Sequence, residues 1–273
     1  MVFAVQMIFE ATRAITTLVF LLYASWSDHK TREVSNAVWV LFAPIALALT
    51  FFELYIYDFS MLPMYGMSFV LTTAFAIALF YSGGFGGADA KALMCLALAL
   101  PFYPANRFTP IVGEISPISQ NFFPITVFSN SVLLAAASAV FMFAYNIGWH
   151  IKNRKSIFEG DHKKESVWRK TLVLLTGYKM PLTKVKEKWH LYPLEDAEKT
   201  SEATFKRKLI ILPKDEGRND IIGRLEKANQ TGAVPDKVWA TPGLPMLIFV
   251  TAGLIIALLL GDVIWNLILF LLG

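Results

Sequence analysis

The sequence predicts an all-α polytopic membrane protein with about six transmembrane helices and a small cytoplasmic α/β-like insert between helices five and six. Of its 273 residues, 55% are hydrophobic and only 17% are charged, whereas soluble domains are about one quarter charged. The apolar residues are gathered into blocks of about 20, the length that crosses a bilayer as a helix. A polar block of about 90 residues separates the last two of these blocks.

Six apolar spans divide the chain into a membrane domain at 1–150, a basic cytoplasmic domain at 151–240 and a sixth transmembrane helix at 241–273. The fourth span is short and ends at prolines, so that a re-entrant segment is an alternative. The sixth follows Thr241-Pro242, which predicts an N-cap with proline in the first turn. The spans run roughly over Gln6–Trp26, Ala37–Tyr57, Met61–Ser82, Ala90–Tyr103, Phe122–Trp149 and Leu244–Leu272.

Charge is distributed unevenly between the membrane spans and the polar block. Residues 151–240 hold 20 Lys/Arg and 13 Asp/Glu, which is a net +7, while the rest of the chain is at −3. Because no nucleic-acid motif is visible, the basic block indicates a membrane surface or a cytosolic face. Lysines and arginines near span ends fall after spans one, three and five, which predicts that these ends are cytoplasmic and both termini outside.

Cysteine usage and the first apolar run exclude several classes. Cys95 is the only cysteine, so intramolecular disulfides and a zinc site built on paired cysteines are excluded. The first apolar run carries Glu10 and Arg13 and lacks a basic leader, so we expect no cleavable signal peptide.

The polar block contains local order signals of a small folded insert. Ser166 is a candidate N-cap for an amphipathic helix that ends at Gly177. The run 209–212 has the composition of a short strand, and Asn219 or Asp220 could cap a further helix ending near Gly232.

Two aspartates lie where long apolar runs meet polar sequence, Asp28 after the first span and Asp89 before the fourth. A carboxylate near hydrocarbon is costly, which makes each a functional hypothesis. If both lie at one membrane face, like charges in one site split their titration, and the pair can perform acid–base hydrolysis. The simpler alternative is that each is an ordinary loop charge beside a span.

Of the sequences around the two aspartates, the glycine-rich run before Asp89 is the more informative. Gly83, Gly84, Gly86 and Gly87 permit tight turns and close approach of a peptide backbone. They also place Asp89 at the start of a helix, where the macrodipole favours a carboxylate.

These motifs resemble the archaeal preflagellin (prearchaellin) and prepilin peptidases, which are membrane aspartyl proteases of the type IV prepilin peptidase superfamily. The similarity lies in Ser27-Asp28 with Glu33-Val34 after span one, and in Gly86-Gly87-Ala88-Asp89-Ala90-Lys91 before span four. The family's Gly-x-Gly-Asp signature corresponds here to Gly86–Asp89, with Ala88 in place of the second glycine. The order of spans and the polar block before the last span are also similar.

The resemblance implies that Asp28 and Asp89 are catalytic and that no metal or cofactor is needed. Gly86, Gly87 and Ala88 would shape the loop or bind substrate, and Glu33 could attract a basic peptide or pair with Lys30 or Arg32. Implied substrates are precursors with a basic leader and a hydrophobic helix, cleaved at the cytoplasmic face of the cell membrane. Lipid is the other implied partner, and nucleic acid is not one. A single cysteine argues against the cysteine-rich insert of bacterial relatives, which predicts a peptidase without methyltransferase activity.

Other readings remain open at the level of sequence. A transporter could use the two carboxylates for cations or protons beside a glycine-broken helix, and a scaffold could use the basic block to dock a partner. Among the other polar residues, Asp262 is expected to pair with Arg13 or Arg107 or to lie near the interface. Glu53 and Asp58 are expected to be solvated, Lys91 to anchor at headgroup depth, and His29 to be a solvated surface residue.

Overall fold

The computed structural model describes residues 2–154, 156–199, 205–210, 217–243 and 245–272, with side chains from Ala4 onward. The chain forms two compact units, one of residues 1–135 with 245–273 and the other of residues 136–244. A single long helix, Phe123–Asn153, begins in the first unit and ends in the second.

The first unit is built from helices. Four are long and apolar enough to cross a membrane, and a fifth candidate is a pair of helices bent by 56°. A helical membrane protein is thus confirmed, while the number of six spans stays a prediction. The helices are α1 (Val2–Thr31), α2 (Asn36–Tyr57), α3 (Leu62–Tyr81), α4 (Gly87–Ala99), α5 (Pro117–Asn121), α6 (Phe123–Asn153), α10 (Met246–Leu260) and α11 (Val263–Leu272), with a 3-10 turn at Phe59–Met61.

The short helix α4 lies in the middle of the first unit, against α1, α2, α3 and α10. Its 13 residues extend about 20 Å, less than the roughly 30 Å of a hydrocarbon core. It begins three residues before the predicted fourth span and ends four residues earlier. Its buried side chains, including Leu93 and Leu96, form the centre of the apolar core together with Leu21, Phe42 and Leu254.

Polar side chains from three other helices terminate α4. The carbonyl oxygen of Ala99 accepts hydrogen bonds from Arg13 Nη1 of α1 at 3.2 Å and from Thr50 Oγ1 of α2 at 3.0 Å. Tyr65 of α3 donates its hydroxyl to the carbonyl of Leu98 at 3.1 Å. The last carbonyls of a helix have no partner within the helix, and water is scarce in a membrane. These side chains therefore let α4 end inside the bundle.

Arg13 is held in turn by Glu53, with 2.8 Å between Nε and Oε2. Each residue is only 5% exposed. The expectation that Glu53 is solvated is therefore wrong, and so is the pairing of Arg13 with Asp262. The physical reason is that Glu53 continues the buried face of α2, three residues after Thr50, and so meets α1 instead of solvent.

The last apolar segment is broken at Gly261-Asp262. Gly261 has φ +80°, and Asp262 is 3% exposed, because its Oδ2 accepts from Ser116 Oγ at 2.9 Å and its Oδ1 from the Trp265 amide at 3.0 Å. Asp262 thus caps α11 and pairs with neither Arg13 nor Arg107, while its expected position near the membrane interface stays a prediction. The predicted N-cap at Thr241 is also wrong, since that residue ends a strand and α10 begins at Met246.

Close approach of backbones holds α10 in place. Ser25 of α1 and Thr251 of α10 share a hydrogen bond of 2.7 Å. A Cβ added to Gly253 would lie 2.7 Å from the carbonyl oxygen of Val127 and closer still to the Ser131 hydroxyl. Small residues at such positions allow the dense packing on which helix association in membranes depends.

The second unit combines the end of α6 with short helices and two small antiparallel sheets. The elements are a 3-10 turn at Gly160–Lys164, α7 (Val167–Thr176), β1 (Tyr178–Pro181), α8 (Leu182–Glu187), β2 (Tyr192–Pro193), β3 (Glu195–Lys199), β4 (Phe205–Leu209), α9 (Arg218–Gln230) and β5 (Lys237–Thr241). One sheet has the order β1-β5-β2, and the other pairs β3 with β4.

The local predictions for this unit have mixed outcomes. Ser166 caps α7, with Oγ accepting from the Arg169 amide, and the helix ends at Gly177 as predicted. The strand lies at 205–209 and shares only residue 209 with the predicted run 209–212, of which residues 211 and 212 lie outside the described residues. The cap predicted at Asn219 or Asp220 is wrong, because α9 begins at Arg218 after Gly217, whose φ is +98°.

Buried ion pairs connect β3 and β4 to their surroundings in the second unit. Arg207 of β4 binds Glu195 of β3 through Nη2, at 3.0 and 3.2 Å from the two carboxylate oxygens. Asp196 of β3 receives a bidentate contact from Arg224 of α9, at 2.7 and 2.9 Å. Bidentate pairs of this kind fix orientation as well as contributing energy.

The Arg13–Glu53 pair gives a stability prediction. Replacing Glu53 with Leu leaves the Arg13 charge uncompensated, and we expect a loss of about 3–5 kcal/mol in unfolding free energy. The double variant R13M/E53L removes both charges while Thr50 still donates to Ala99, so its loss should be well below the sum of the single losses. Thermal unfolding of the detergent-solubilised protein provides the measurement. Additive losses would show that the two side chains are not coupled.

Candidate active site

Asp28 lies on the inward face of α1. Residues that precede it at steps of three and four are all buried, at most 5% exposed, and they form one stripe along the helix. Asp28 continues this stripe at the end of the helix and is itself half-buried. Its carboxyl group therefore belongs to the bundle side of α1 instead of the lipid side. The stripe consists of Glu10, Ala14, Thr17, Leu21 and Ala24.

The turn after Asp28 is fixed by hydrogen bonds. The amide of Arg32, at φ +58°, donates to the Asp28 carbonyl at 2.8 Å. The carbonyl of Glu33 accepts from Ser27 Oγ at 2.8 Å and from Thr31 Oγ1 at 3.0 Å. Glu33 thus shapes the turn through its backbone, while its side chain is exposed, and a role of that side chain toward substrate stays a prediction.

The glycine run before Asp89 begins with the end of α3. Gly83 has φ +76°, and its amide donates to the Phe80 carbonyl at 3.0 Å, while that of Gly84 donates to Leu79 at 2.9 Å. This pair of bonds is the Schellman motif, which needs a left-handed residue and so favours glycine. Phe85, 8% exposed, then anchors the loop in the core against Phe128, with 5.6 Å between ring centroids.

Asp89 sits in the first turn of α4 and turns back onto Gly86. The Gly86 amide donates to Asp89 Oδ2 at 3.0 Å, and a Cβ added to Gly86 would lie 3.1 Å from that oxygen. A Cβ on Gly87 would meet only the Phe80 ring, at 3.7 Å. Of the two glycines, Gly86 is therefore the one whose missing side chain gives the carboxylate its place. Ala88 is half-buried and packs against the core.

The structure brings the two predicted aspartates to the same end of the first unit. The charge of Asp28 acts electrostatically on Asp89, and both carboxyl groups are half-buried. Lys91, in α4, donates to the Asn36 side chain at the start of α2, at 2.6 Å. The end of α1 and the starts of α2 and α4 therefore meet around the pair.

The remaining candidates near this end are exposed or bind other residues. His29 is exposed, as expected for a surface histidine, and the neighbouring Lys30 lies over the Trp26 ring at 5.1 Å. Lys91 is occupied by Asn36, a contact that the sequence did not predict. Within the described residues, no three His, Cys, Asp or Glu side chains are grouped as metal ligands.

A helical membrane protein with two half-buried carboxyl groups at the same end of its bundle has the groups that acid–base hydrolysis requires. A model of the type IV leader peptidase family matches residues 15–145, and a model of the archaeal peptidase A24 C-terminus, type II, matches residues 169–263.

Three relatives are each named preflagellin peptidase. The protein of Methanococcus voltae is 28% identical over 92% of this chain and 96% of its own length. The protein of Methanocaldococcus jannaschii is 24% identical over 91% of this chain and 93% of its own length. The protein of Methanococcus maripaludis is 22% identical over 89% of this chain and 92% of its own length. The chain is therefore similar over most of its length to type IV leader peptidases and their archaeal relatives, and it is a membrane protease of the aspartic type. The resemblance inferred from the two aspartate motifs is thus confirmed.

The contrast between Gly86 and Gly87 predicts different outcomes for the same substitution. Gly86→Ala places a methyl group 3.1 Å from Asp89 Oδ2 and so shifts the carboxylate by a few tenths of an ångström; since a 1 Å misplacement costs about 100-fold in rate, we expect a smaller, severalfold loss of cleavage. Gly87→Ala adds an ordinary van der Waals contact and suits a helix start, so cleavage should stay near wild type. Initial rates of leader-peptide cleavage by both variants test this. Equal rates would contradict the role given to Gly86.

Proposed function

We propose that this protein removes the basic leader peptide from archaellin or type IV pilin-like precursors at the cytoplasmic face of the cell membrane. Water activation by Asp28 and Asp89 would carry the reaction. The observation that supports this most is that Asp28 continues the buried stripe of α1 while Asp89 lies in the first turn of α4, a helix that packs against α1. Relatives named preflagellin peptidase, aligned over most of the chain, support the precursor class.

The course of the chain supports placing the two aspartates at one membrane face. Glu10, eighteen residues before Asp28 on α1, is about 27 Å away along the helix axis. Its carboxylate accepts from Asn106 Nδ2 and from the Arg107 amide, both at 2.9 Å. The segment after α4 has therefore reached the opposite end of α1. Although α4 is short, α4 and this segment together cross a distance close to the hydrocarbon thickness.

Basic residues support the cytoplasmic side for the aspartate end. Lys30 lies in the last turn of α1, Arg32 follows that helix, and Lys91 lies in the first turns of α4. The opposite end holds Arg107 in the loop before α5. Positive charge close to span ends is retained in the cytoplasm, so this distribution favours an active site facing that compartment.

The chemistry follows from two carboxyl groups that share a proton. The ionised partner removes a proton from water, whose oxygen attacks the scissile carbonyl carbon, while the protonated partner donates its proton to the carbonyl oxygen. Collapse of the resulting diol returns a proton to the leaving nitrogen, and the C–N bond breaks. The site sits where a leader meets a membrane-spanning segment, and a basic leader is attracted to the two aspartates.

Substitution of either aspartate tests the proposal. Asp28→Asn and Asp89→Asn keep size and polarity but remove the acid–base group. Each substitution should therefore lower the rate of precursor cleavage by about 100-fold to 10,000-fold. The assay uses purified protein and a precursor with a basic leader, with a thermal melt as the folding control. Full cleavage by either variant would exclude the pair. Proton or cation flux into vesicles without proteolysis would instead support a transporter.

The shared proton predicts a bell-shaped pH dependence of kcat/KM. As pH falls, the ionised carboxylate becomes protonated and can no longer activate water, and as pH rises, the partner loses the proton it must donate. Activity should therefore decline on both sides of an optimum. Rates across pH in one constant-ionic-strength buffer series give the profile. A rate that stays flat toward high pH would mean that no carboxyl proton is donated.

A further inference from the structure

The second unit contains a small cavity of about 60 Å³ beside the last turns of α6. Tyr145 and Trp149, one turn apart on α6, form one wall, and Lys179, Lys237 and Trp239 form the wall that belongs to β1 and β5. The proposed peptidase chemistry uses none of these residues. Aromatic rings with two ammonium groups form a surface suited to an anion that carries an apolar body.

The sheet register places both lysines on one face. Lys179 of β1 is opposite Trp239 of β5, and Lys237 lies two residues before Trp239 on the same strand. Residues two apart point to the same face of a strand, and diagonal neighbours on paired strands lie about 7–8 Å apart. A group of phosphate size can therefore be reached by both ammonium groups.

Three donor side chains line the cavity. Lys179 Nζ lies 5.8 Å from the centre of the Trp239 ring and 3.9 Å from the partly exposed carboxylate of Glu159, which is a long ion pair. Lys237 is exposed. Trp239 is 2% exposed, and its indole N–H has no hydrogen-bond partner among the residues described. A buried donor without a partner calls for a ligand or water that accepts its hydrogen bond.

The rest of the wall is structural. Asn146 donates its amide to the carbonyls of Leu174 and Gly177, at 2.9 and 2.8 Å, and so holds the end of α7 against α6. A Cβ added to Gly177 would lie 2.6 Å from the Ala240 carbonyl oxygen. The cavity is therefore framed by tightly packed backbone.

The length of α6 indicates where the cavity lies relative to the membrane. Its 31 residues extend about 46 Å, whereas the hydrocarbon core is about 30 Å thick. If its first residues lie at one edge of the core, Tyr145 is about 33 Å further along and lies among the headgroups of the other leaflet. Trp149, His150 and Lys152 continue as the aromatic and basic anchors typical of that layer.

We propose that this cavity binds the phosphate headgroup of an acidic phospholipid, with Lys179 and Lys237 as the cationic contacts and Trp239 as the hydrogen-bond donor. The aromatic wall formed by Tyr145 and Trp149 covers the glycerol end of the lipid. This site lies apart from the two aspartates in sequence, and its occupancy does not depend on peptidase chemistry.

Native mass spectrometry of the purified full-length protein tests this site. Detergent-solubilised protein is titrated with phosphatidylglycerol and, in a parallel arm, with phosphatidylcholine of the same acyl chains. We expect one retained phosphatidylglycerol per chain. Each basic side chain near an acidic headgroup contributes roughly fivefold, so that K179Q/K237Q should bind about 30-fold more weakly. The matched control is K184Q/K227Q, which removes two exposed lysines of α8 and α9 outside the cavity.

Three results would overturn the proposal. Equal retention of phosphatidylcholine would show that charge is not recognised, and unchanged binding by K179Q/K237Q would place the lipid elsewhere. Displacement of the lipid by an equal concentration of inorganic phosphate would assign the cavity to a small free anion. If the double variant fails to fold, K237Q alone, at an exposed position, should still weaken binding about fivefold, and wild-type affinity in that variant would count against the site.

Discussion

The carbonyl oxygen of Ala99 is the point on which the arrangement of the first unit depends. A helix of 13 residues that ends among apolar side chains leaves carbonyl groups without partners, which a membrane interior cannot supply. Arg13 and Thr50 satisfy this oxygen from two neighbouring helices, and Glu53 balances the charge of the guanidinium. A cation at the C-terminus of a helix also suits the macrodipole. One buried polar cluster thereby joins α1, α2 and α4, and so fixes the helix that carries Asp89.

The two ends of α4 are thus secured by different means. At the Ala99 end, side chains reach the backbone, whereas at the other end the backbone of Gly86 reaches a side chain, that of Asp89. The same stripe of α1 that begins at Glu10 ends at Asp28. Since α1 contacts α4 as well as α2 and α10, the separation of the aspartates is set by helix packing along the whole length of the bundle. A single loop would not hold the two carboxyl groups at as constant a separation.

Sequence reasoning predicted the membrane class, which is confirmed, because long apolar blocks are a strong signal. It also pointed to the two aspartates and the glycine run, whose roles in the reaction stay predictions. It did not separate the glycines. Gly83 ends one helix and Gly86 makes room for a carboxylate, and only coordinates distinguish these needs. The expectation that Glu53 is solvated was wrong because its partner, Arg13, lies on another helix. The spacing of Glu53 from Phe42, Ala46 and Thr50 on α2 nevertheless indicated burial. The break at Gly261 was missed because glycine and aspartate inside an apolar run can equally be tolerated in a straight helix.

Asp262 has a consequence for how the chain is assembled in a membrane. Its carboxylate accepts hydrogen bonds from the hydroxyl of Ser116, just before α5, and from the amide of Trp265 in α11. The side chain of Asn130 in α6 donates to the Gly261 carbonyl and accepts from the Val263 amide, on either side of Asp262. A carboxylate inside an apolar segment is costly without such partners. The final segment therefore depends on Ser116 and on α6 for the groups that satisfy its aspartate, so that its native packing requires elements made earlier in the chain.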